Sequence, residues 1–144
     1  MHTCTFCQLV NHETDSLVVR ESRSILFILP KDLEVFGHTL ALPKPHYESL
    51  FDISDSILSE LLIETKTLAN QYRESLGATG INILHASGKS AQQSVAHFHL
   101  HIFPRFENDK INAWPELPKA NFIPSEVHRE IVSKLANINI ISHG

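Results

Sequence analysis

The stretch Val95-Ala96-His97-Phe98-His99-Leu100-His101-Ile102-Phe103-Pro104-Arg105 decides how the chain is read. In an extended strand, successive side chains point to opposite faces. His97, His99 and His101 therefore fall in one row, and Phe98, Leu100 and Ile102 in the other. The apolar row suits a core. Three imidazoles in register do not, because each buried ring needs hydrogen-bond partners. Histidine also changes protonation near neutral pH, which suits it to metal binding, proton transfer or attack on a substrate. The row is the candidate site, facing a cleft.

Outward from that strand, 144 residues fit a single domain that buries about 70% of its unfolded surface. Twelve Lys and Arg against sixteen Asp and Glu leave a net charge of −4 with no basic run, which argues against a nucleic-acid polymer as partner. A pocket for one nucleotide stays open. No apolar run approaches a membrane span and Met1-His2-Thr3-Cys4 begins no signal peptide, so the expected compartment is the cytoplasm, without membrane association.

The chain order predicts an α+β fold. Cys4 to Val10 is a short apolar helical turn or two, and Leu17–Glu21 and the wholly apolar Ile25–Leu29 are strands, the second stopped by Pro30. Gly37 to Pro43 makes a third strand. Ile57, Leu58, Leu61, Leu62, Thr65, Leu68, Ala69, Tyr72 and Leu76 recur at helical spacing, with Ser54 as N-cap and Gly77 just past the end. Gly80 to His85 is the fourth strand, Ala86 to Gln93 a polar loop, and the histidine strand the fifth. Ser125 caps a last helix through about Leu135, with Val127, Ile131 and Leu135 on one face. Strands joined by short turns with one long helix between them indicate a largely antiparallel sheet.

Three motifs carry chemistry. Gly88-Lys89-Ser90 is not a P-loop, because Ile83 stands where the motif needs glycine and the loop opens a strand. Ser87, Gly88, Ser90, Gln93 and Ser94 still offer amides and small donors for an anionic oxygen just ahead of the imidazoles. A plain hairpin turn is the alternative. Cys4 and Cys7 are the only cysteines, and no strand precedes them as a thioredoxin-type redox pair requires. Two thiolates at this spacing can share a tetrahedral zinc that needs two more ligands, for which His46 and one histidine of the row are candidates. Two unligated, buried cysteines are the other reading. No Asp or Glu lies between Gly77 and Arg105 to complete a catalytic zinc site on the row. Imidazole attack on phosphorus beside the anion-holding loop fits better, since a phosphoramidate forms and splits readily.

Gln93-Ser94-Val95 followed by His97-Phe98-His99-Leu100-His101-Ile102-Phe103-Pro104-Arg105 resembles the signature of the histidine-triad (HIT) family. Gly37-His38-Thr39-Leu40-Ala41-Leu42-Pro43-Lys44-Pro45-His46 is similar to the family's second block, and Cys4-Thr5-Phe6-Cys7 to the start of many bacterial members. The resemblance spans about residues 4–105 of one HIT domain over 1–144, leaving 106–144 as a C-terminal extension. It implies a five-stranded antiparallel sheet with one long helix and short flanking helices, usually in a homodimer. It also implies a hydrolase acting at the α-phosphorus of a nucleoside phosphoanhydride or phosphoramidate. His99 would be the nucleophile, forming a nucleotidyl-histidine that water hydrolyses, and His101 would bind an α-phosphate oxygen. Gln93 and Ser94 would contact phosphate or leaving group, and Phe6, Leu9 and Phe27 match purine-pocket positions. Cys4, Cys7, His46 and His97 match ligands of a structural zinc. Ser87, in the polar loop, joins the nucleotide-binding set. Leu29 stands where members commonly carry a ribose-binding Asp, Asp32 is not expected to replace it, and Ala86 and Gln92 also depart from the pattern. The alternatives are a catalytically weak nucleotide-binding module, or a metallohydrolase with zinc on the triad. Trp114, in a loop directly after the catalytic strand, is expected to cover the site or the dimer partner.

Overall fold

The structure is a computed structural model that describes residues 3–31, 35–113 and 124–136. It divides into two compact units, Met1–Ile111 and Asn112–Gly144. Trp114 and Asp32 lie outside the described residues.

In the first unit, helix α1 (Thr5–Val10) precedes strands β1 (Leu17–Glu21), β2 (Ile25–Leu29) and β3 (Thr39–Pro43). Helix α2 (Asp55–Leu76) leads to β4 (Gly80–Leu84) and β5 (Leu100–Arg105). All neighbouring strands are antiparallel, in the order β1-β2-β3-β5-β4. This is the α+β architecture that the strand runs and the single long helix predict.

Helix α2 begins and ends on its sequence signals. Ser54 Oγ accepts the Ile57 N–H at 3.3 Å, and Gly77 takes the left-handed conformation at φ 75°. Its inner stripe of Leu61, Thr65, Leu68 and Tyr72 is buried against one face of the sheet, where Ile25, Phe27, Ala41, Phe98, Leu100 and Ile102 form the core. Tyr72 reaches through to β3, its hydroxyl donating to Thr39 Oγ1, which in turn donates to the Gly37 carbonyl. Gly37 needs to be glycine: φ is +73°, and a Cβ there would meet Pro104 Cγ at 2.5 Å.

The other face packs Leu26, Ile28, Leu40 and Leu42 against Phe6 and Val10 of α1. With both faces covered, β2 and β3 are buried at nearly every position, which is why they read as continuous apolar runs. Arg105 closes the unit. Its guanidinium holds Asp109 at 2.9 Å, Asn82 at 2.7 Å and the Ile111 carbonyl, so residues 106–111 stay with the sheet and the unit ends past Arg105.

Phe98 sets the spacing of the triad, being 1% exposed in the α2-facing core between His97 and His99. Phe98→Ala is expected to cost about 3–5 kcal/mol in denaturant unfolding, because the cavity adds to the lost transfer energy.

In the second unit, helix α3 (Ser125–Ala136) takes Ser125 as its first residue, one position inside the N-cap that the sequence predicts. None of its residues is buried, and Val127, Ile131 and Leu135 are all more than 40% exposed. No helix among the described residues is long and apolar enough to cross a membrane.

Candidate active site and metal cluster

The strand expected from Val95 onward begins only at Leu100. The β3–β5 ladder stops at Ala41↔Leu100, and Pro43 has no N–H with which to extend it. The Phe98 N–H turns instead to the Tyr47 carbonyl at 2.7 Å. The side-chain alternation nevertheless survives. Phe98, Leu100 and Ile102 enter the α2-facing core, while the imidazoles lie on the opposite face with Phe6 set edge-on to His97 and His99.

Each triad ring has different partners. The His97 Nε2–H donates to the Pro43 carbonyl at 2.8 Å, which turns Nδ1 toward the cysteines. The His99 Nδ1–H donates to the His97 carbonyl at 2.8 Å. A carbonyl only accepts, so in the neutral ring Nε2 is left with its lone pair free. His101 Nδ1 shares one hydrogen with His38 Nε2 at 2.9 Å. The His38 ring is stacked on Phe103 at 4.3 Å, centroid to centroid, so the residue just ahead of β3 is held against β5.

Burial keeps these rings neutral. Desolvation lowers the pKa of His99, with His85 adding to it, and lowers that of His38. His101 is pushed down to about 4 by desolvation and then by the nearby His99, His38 and His85. Neither His38 nor His85 stands out in the sequence as a site residue. His38 immediately precedes β3 and His85 immediately follows β4, and only the pairing of those strands with β5 brings them to the row.

Beside Phe6 runs a cleft of about 330 Å³. Its apolar walls include Phe6, Leu9, Ile28, Leu29 and Leu40, and Thr14, Asp15, Ser16 and Lys31 supply its polar positions. Leu40 pairs with His101 in the sheet, so the cleft adjoins the catalytic row. Phe6 and Leu9 are thus brought to it. Phe27 is not: it is fully buried with Ile25 and Ala41 on the α2 side, opposite the histidines, and its neighbour Ile28 lines the cleft instead. The correction follows from strand alternation, since Phe27 pairs with Ala41 while Ile28 pairs with Leu40 on the histidine face.

The loop before the triad is tied down by its own side chains. Gln93 accepts the Gly88 N–H at 2.7 Å and donates to the carbonyls of Glu48 and Val95 at 2.6 and 2.9 Å. Its amide braces the loop. Ser94 is exposed and lines a second hollow of about 350 Å³ with Ser49, Gly88 and Lys89. Ser87 Oγ accepts the Leu50 N–H at 2.8 Å and lies 2.5 Å from His85 Nε2. Gln92 is left-handed at φ 65°, a conformation that costs a residue with a Cβ about 1–2 kcal/mol and that only glycine adopts freely.

Cys4, Cys7, His46 and His97 gather their donor atoms within 4.8 Å of one another. His97 Nδ1 lies 3.7 Å from Cys4 Sγ, 3.6 Å from Cys7 Sγ and 3.1 Å from His46 Nδ1, and Cys7 Sγ lies 3.2 Å from His46 Nδ1. Tetrahedral coordination by two sulfurs and two nitrogens spaces its donors by about 3.3–3.8 Å. The cluster fits such an ion. The His97–Pro43 bond supplies the outer hydrogen bond that orients a metal-binding imidazole. Without an ion, burial and then Cys4 push the Cys7 thiol up to about 11. Among the described residues this is the group that could hold a metal, and it takes only His97 from the triad.

Known proteins share this arrangement of sequence and fold. The family model for the HIT domain matches residues 11–108. An uncharacterized HIT-like protein of Borreliella burgdorferi is 38% identical over 111 residues, 76% of this chain and 80% of that protein. Adenosine 5'-monophosphoramidase HNT1 of Saccharomyces cerevisiae is 29% identical over 92% of this chain and 82% of its own length. Adenylylsulfatase HINT3 of Arabidopsis thaliana is 31% identical over 74% of this chain and 54% of its own. A HIT family protein of Bacillus anthracis superposes with a TM-score of 0.80 at 32% identity, covering 94% of this chain and 96% of that one. A zinc-bound histidine triad family protein of Mycobacterium smegmatis gives 0.72 at 31%, covering 93% and 94%.

Proposed function

The chain belongs to the HIT family, and on that premise we propose that it is a nucleotide hydrolase working through a covalent nucleotidyl-histidine on His99. One observation carries the reading: the His99 Nδ1–H is committed to the His97 carbonyl in a buried ring of lowered pKa, leaving Nε2 as a neutral nucleophile. HNT1 and HINT3, which are named for splitting adenosine phosphoramidate and adenylyl sulfate, support a nucleoside phosphoramidate or mixed anhydride as substrate.

In this reading the base lies in the cleft walled by Phe6, Leu9, Ile28 and Leu40, and the α-phosphorus stands before His99. Nε2 forms the N–P bond as the bond to the leaving group breaks, and the leaving group departs with a proton from solvent or a neighbouring donor. With the His38 Nε2–H donating to its Nδ1, His101 carries its own hydrogen on Nε2 and offers it to an α-phosphate oxygen. Ser94 faces the leaving group. Gln93 and Ser87 act through the loop that they brace. Water then cleaves the N–P bond, releasing a nucleoside monophosphate and the free imidazole.

Cys4, Cys7, His46 and His97 would hold zinc, supported by the donor geometry and the zinc-bound relative. When bound, the ion would act structurally, cross-linking α1, the loop after β3 and the approach to the catalytic strand. Its donors exclude His99 and His101, which favours this over zinc catalysis on the triad. A homodimer of two such sheets completes the proposal.

The test is a substrate panel of adenosine 5'-phosphoramidate, adenylyl sulfate and a dinucleoside polyphosphate, assayed for release of nucleoside monophosphate across pH. Turnover of at least one is expected, and inactivity toward all would refute the proposal. The active form is the neutral site, and the pKa of His99 is lowered while that of His101 lies near 4. Hence kcat/KM should hold steady as pH falls past 6.5 and drop only in more acidic solution. An acid limb at or above 6.5 would contradict the burial argument.

A further inference from the structure

We infer that His85 is a positioning residue for His99, an inference that rests on reading His99 as the nucleophile. The β4–β5 ladder ends at Leu84↔His101. One residue further on, the His85 imidazole supplies a donor where the main-chain pairing has stopped: its Nδ1–H bonds the His99 carbonyl at 2.8 Å. That hydrogen bond fixes the tautomer of the neutral ring, so Nε2 accepts, and the Ser87 hydroxyl lies 2.5 Å away to donate to it. Ser87 Oγ is itself held by the Leu50 N–H at 2.8 Å. The ring stacks on Phe98 at 4.4 Å, centroid to centroid, and Phe98 is fixed in the core.

His99 is therefore gripped from two sides. Its side chain is anchored on the His97 carbonyl and its own carbonyl on His85. Together the two bonds restrict rotation about the His99 backbone and χ1, and so the direction in which Nε2 points. A misplacement of about 1 Å at a reacting atom can cost a hundredfold in rate. His85 touches neither substrate nor reacting atom in this scheme. It acts through the backbone of the residue that does.

His85→Phe keeps a flat ring against Phe98 and removes both hydrogen bonds. His85→Asn restores an N–H near the position of Nδ1. With the substrate that the wild type turns over fastest, His85→Phe should lower kcat by about tenfold to a hundredfold with KM within twofold, and His85→Asn should recover most of the loss. Ser87→Ala, which frees the His85 ring without emptying the core, should lower kcat several-fold. Nitrogen-15 spectra of the histidine side chains, at a pH where the rings are neutral, provide a readout that needs no substrate. His99 should be a single Nδ1–H tautomer in the wild type and a mixture in His85→Phe. Wild-type kcat in His85→Phe with an unchanged His99 tautomer would overturn the inference. So would kcat and KM worsening together without rescue by asparagine, which is the behaviour of a merely structural side chain. If the wild type proves inactive on the whole panel, the proposed function fails, and the tautomer alone decides whether His85 governs His99.

Discussion

His99→Ala is expected to lose on the order of a thousandfold or more in kcat, about 4 kcal/mol of transition-state stabilisation, while melting close to wild type. The size of the effect follows from the role, because no other imidazole in the row has a free nitrogen in the same setting. His97 has Nε2 on the Pro43 carbonyl and Nδ1 among the cysteines, and His101 shares its Nδ1 with His38. Nucleotide affinity should change little, since the cleft walls of Phe6, Leu9, Ile28 and Leu40 remain. His101→Ala should be milder, removing a phosphate donor and not the bond-forming atom. Equal losses from both substitutions would mean that attack does not belong to His99 alone. A rapid single-turnover assay separates the chemical step from product release and reads the difference directly.

The second large effect is expected at the cluster. Wild-type protein should contain one zinc per chain by elemental analysis, and Cys7→Ala should contain none. Cys7→Ala should also melt about 10 °C lower, which for a domain of this size corresponds to roughly 3 kcal/mol. The reason is connectivity: Cys4 and Cys7 bring α1, His46 the loop after β3, and His97 the approach to β5. His99→Ala should keep its zinc, because His99 is no part of the donor set. Metal binding must also displace the proton of the Cys7 thiol, which burial holds up at about 11, so zinc affinity should rise with pH and binding should release protons. Affinity independent of pH between 6 and 8 would contradict ligation by that thiol.

What the sequence disclosed depended on whether the signal was local. Helix α2 is legible to the residue because Ser54 and Gly77 mark its ends and its stripe repeats at helical spacing. β1 and β2 are bounded by a turn and a proline, and their observed limits match the runs of Leu, Val and Ile. The side that Phe27 faces is not legible, because Ile25 to Leu29 is apolar on both faces and no polar residue marks which one meets the histidines. The start of β5 is hidden in the sequence, since side-chain alternation continues past the end of its hydrogen bonding, which Pro43 and Tyr47 decide from elsewhere in the chain. The cysteine pair implied two further ligands, and the fold gathers His46 and His97 beside it. His38 and His85 carried no such pattern. Gln93 was visible as a polar residue ahead of the triad, but its backbone partners at positions 48 and 88 come together only through folding.

Hydrolysis is expected to proceed in two displacements through His99. The most direct measurement is the configuration at phosphorus after turnover of a substrate carrying a chiral α-phosphorothioate in oxygen-18 water. Each in-line displacement inverts the centre, so attack by His99 followed by attack by water must give net retention. Net inversion would mean that water attacks the substrate directly, and would contradict the account.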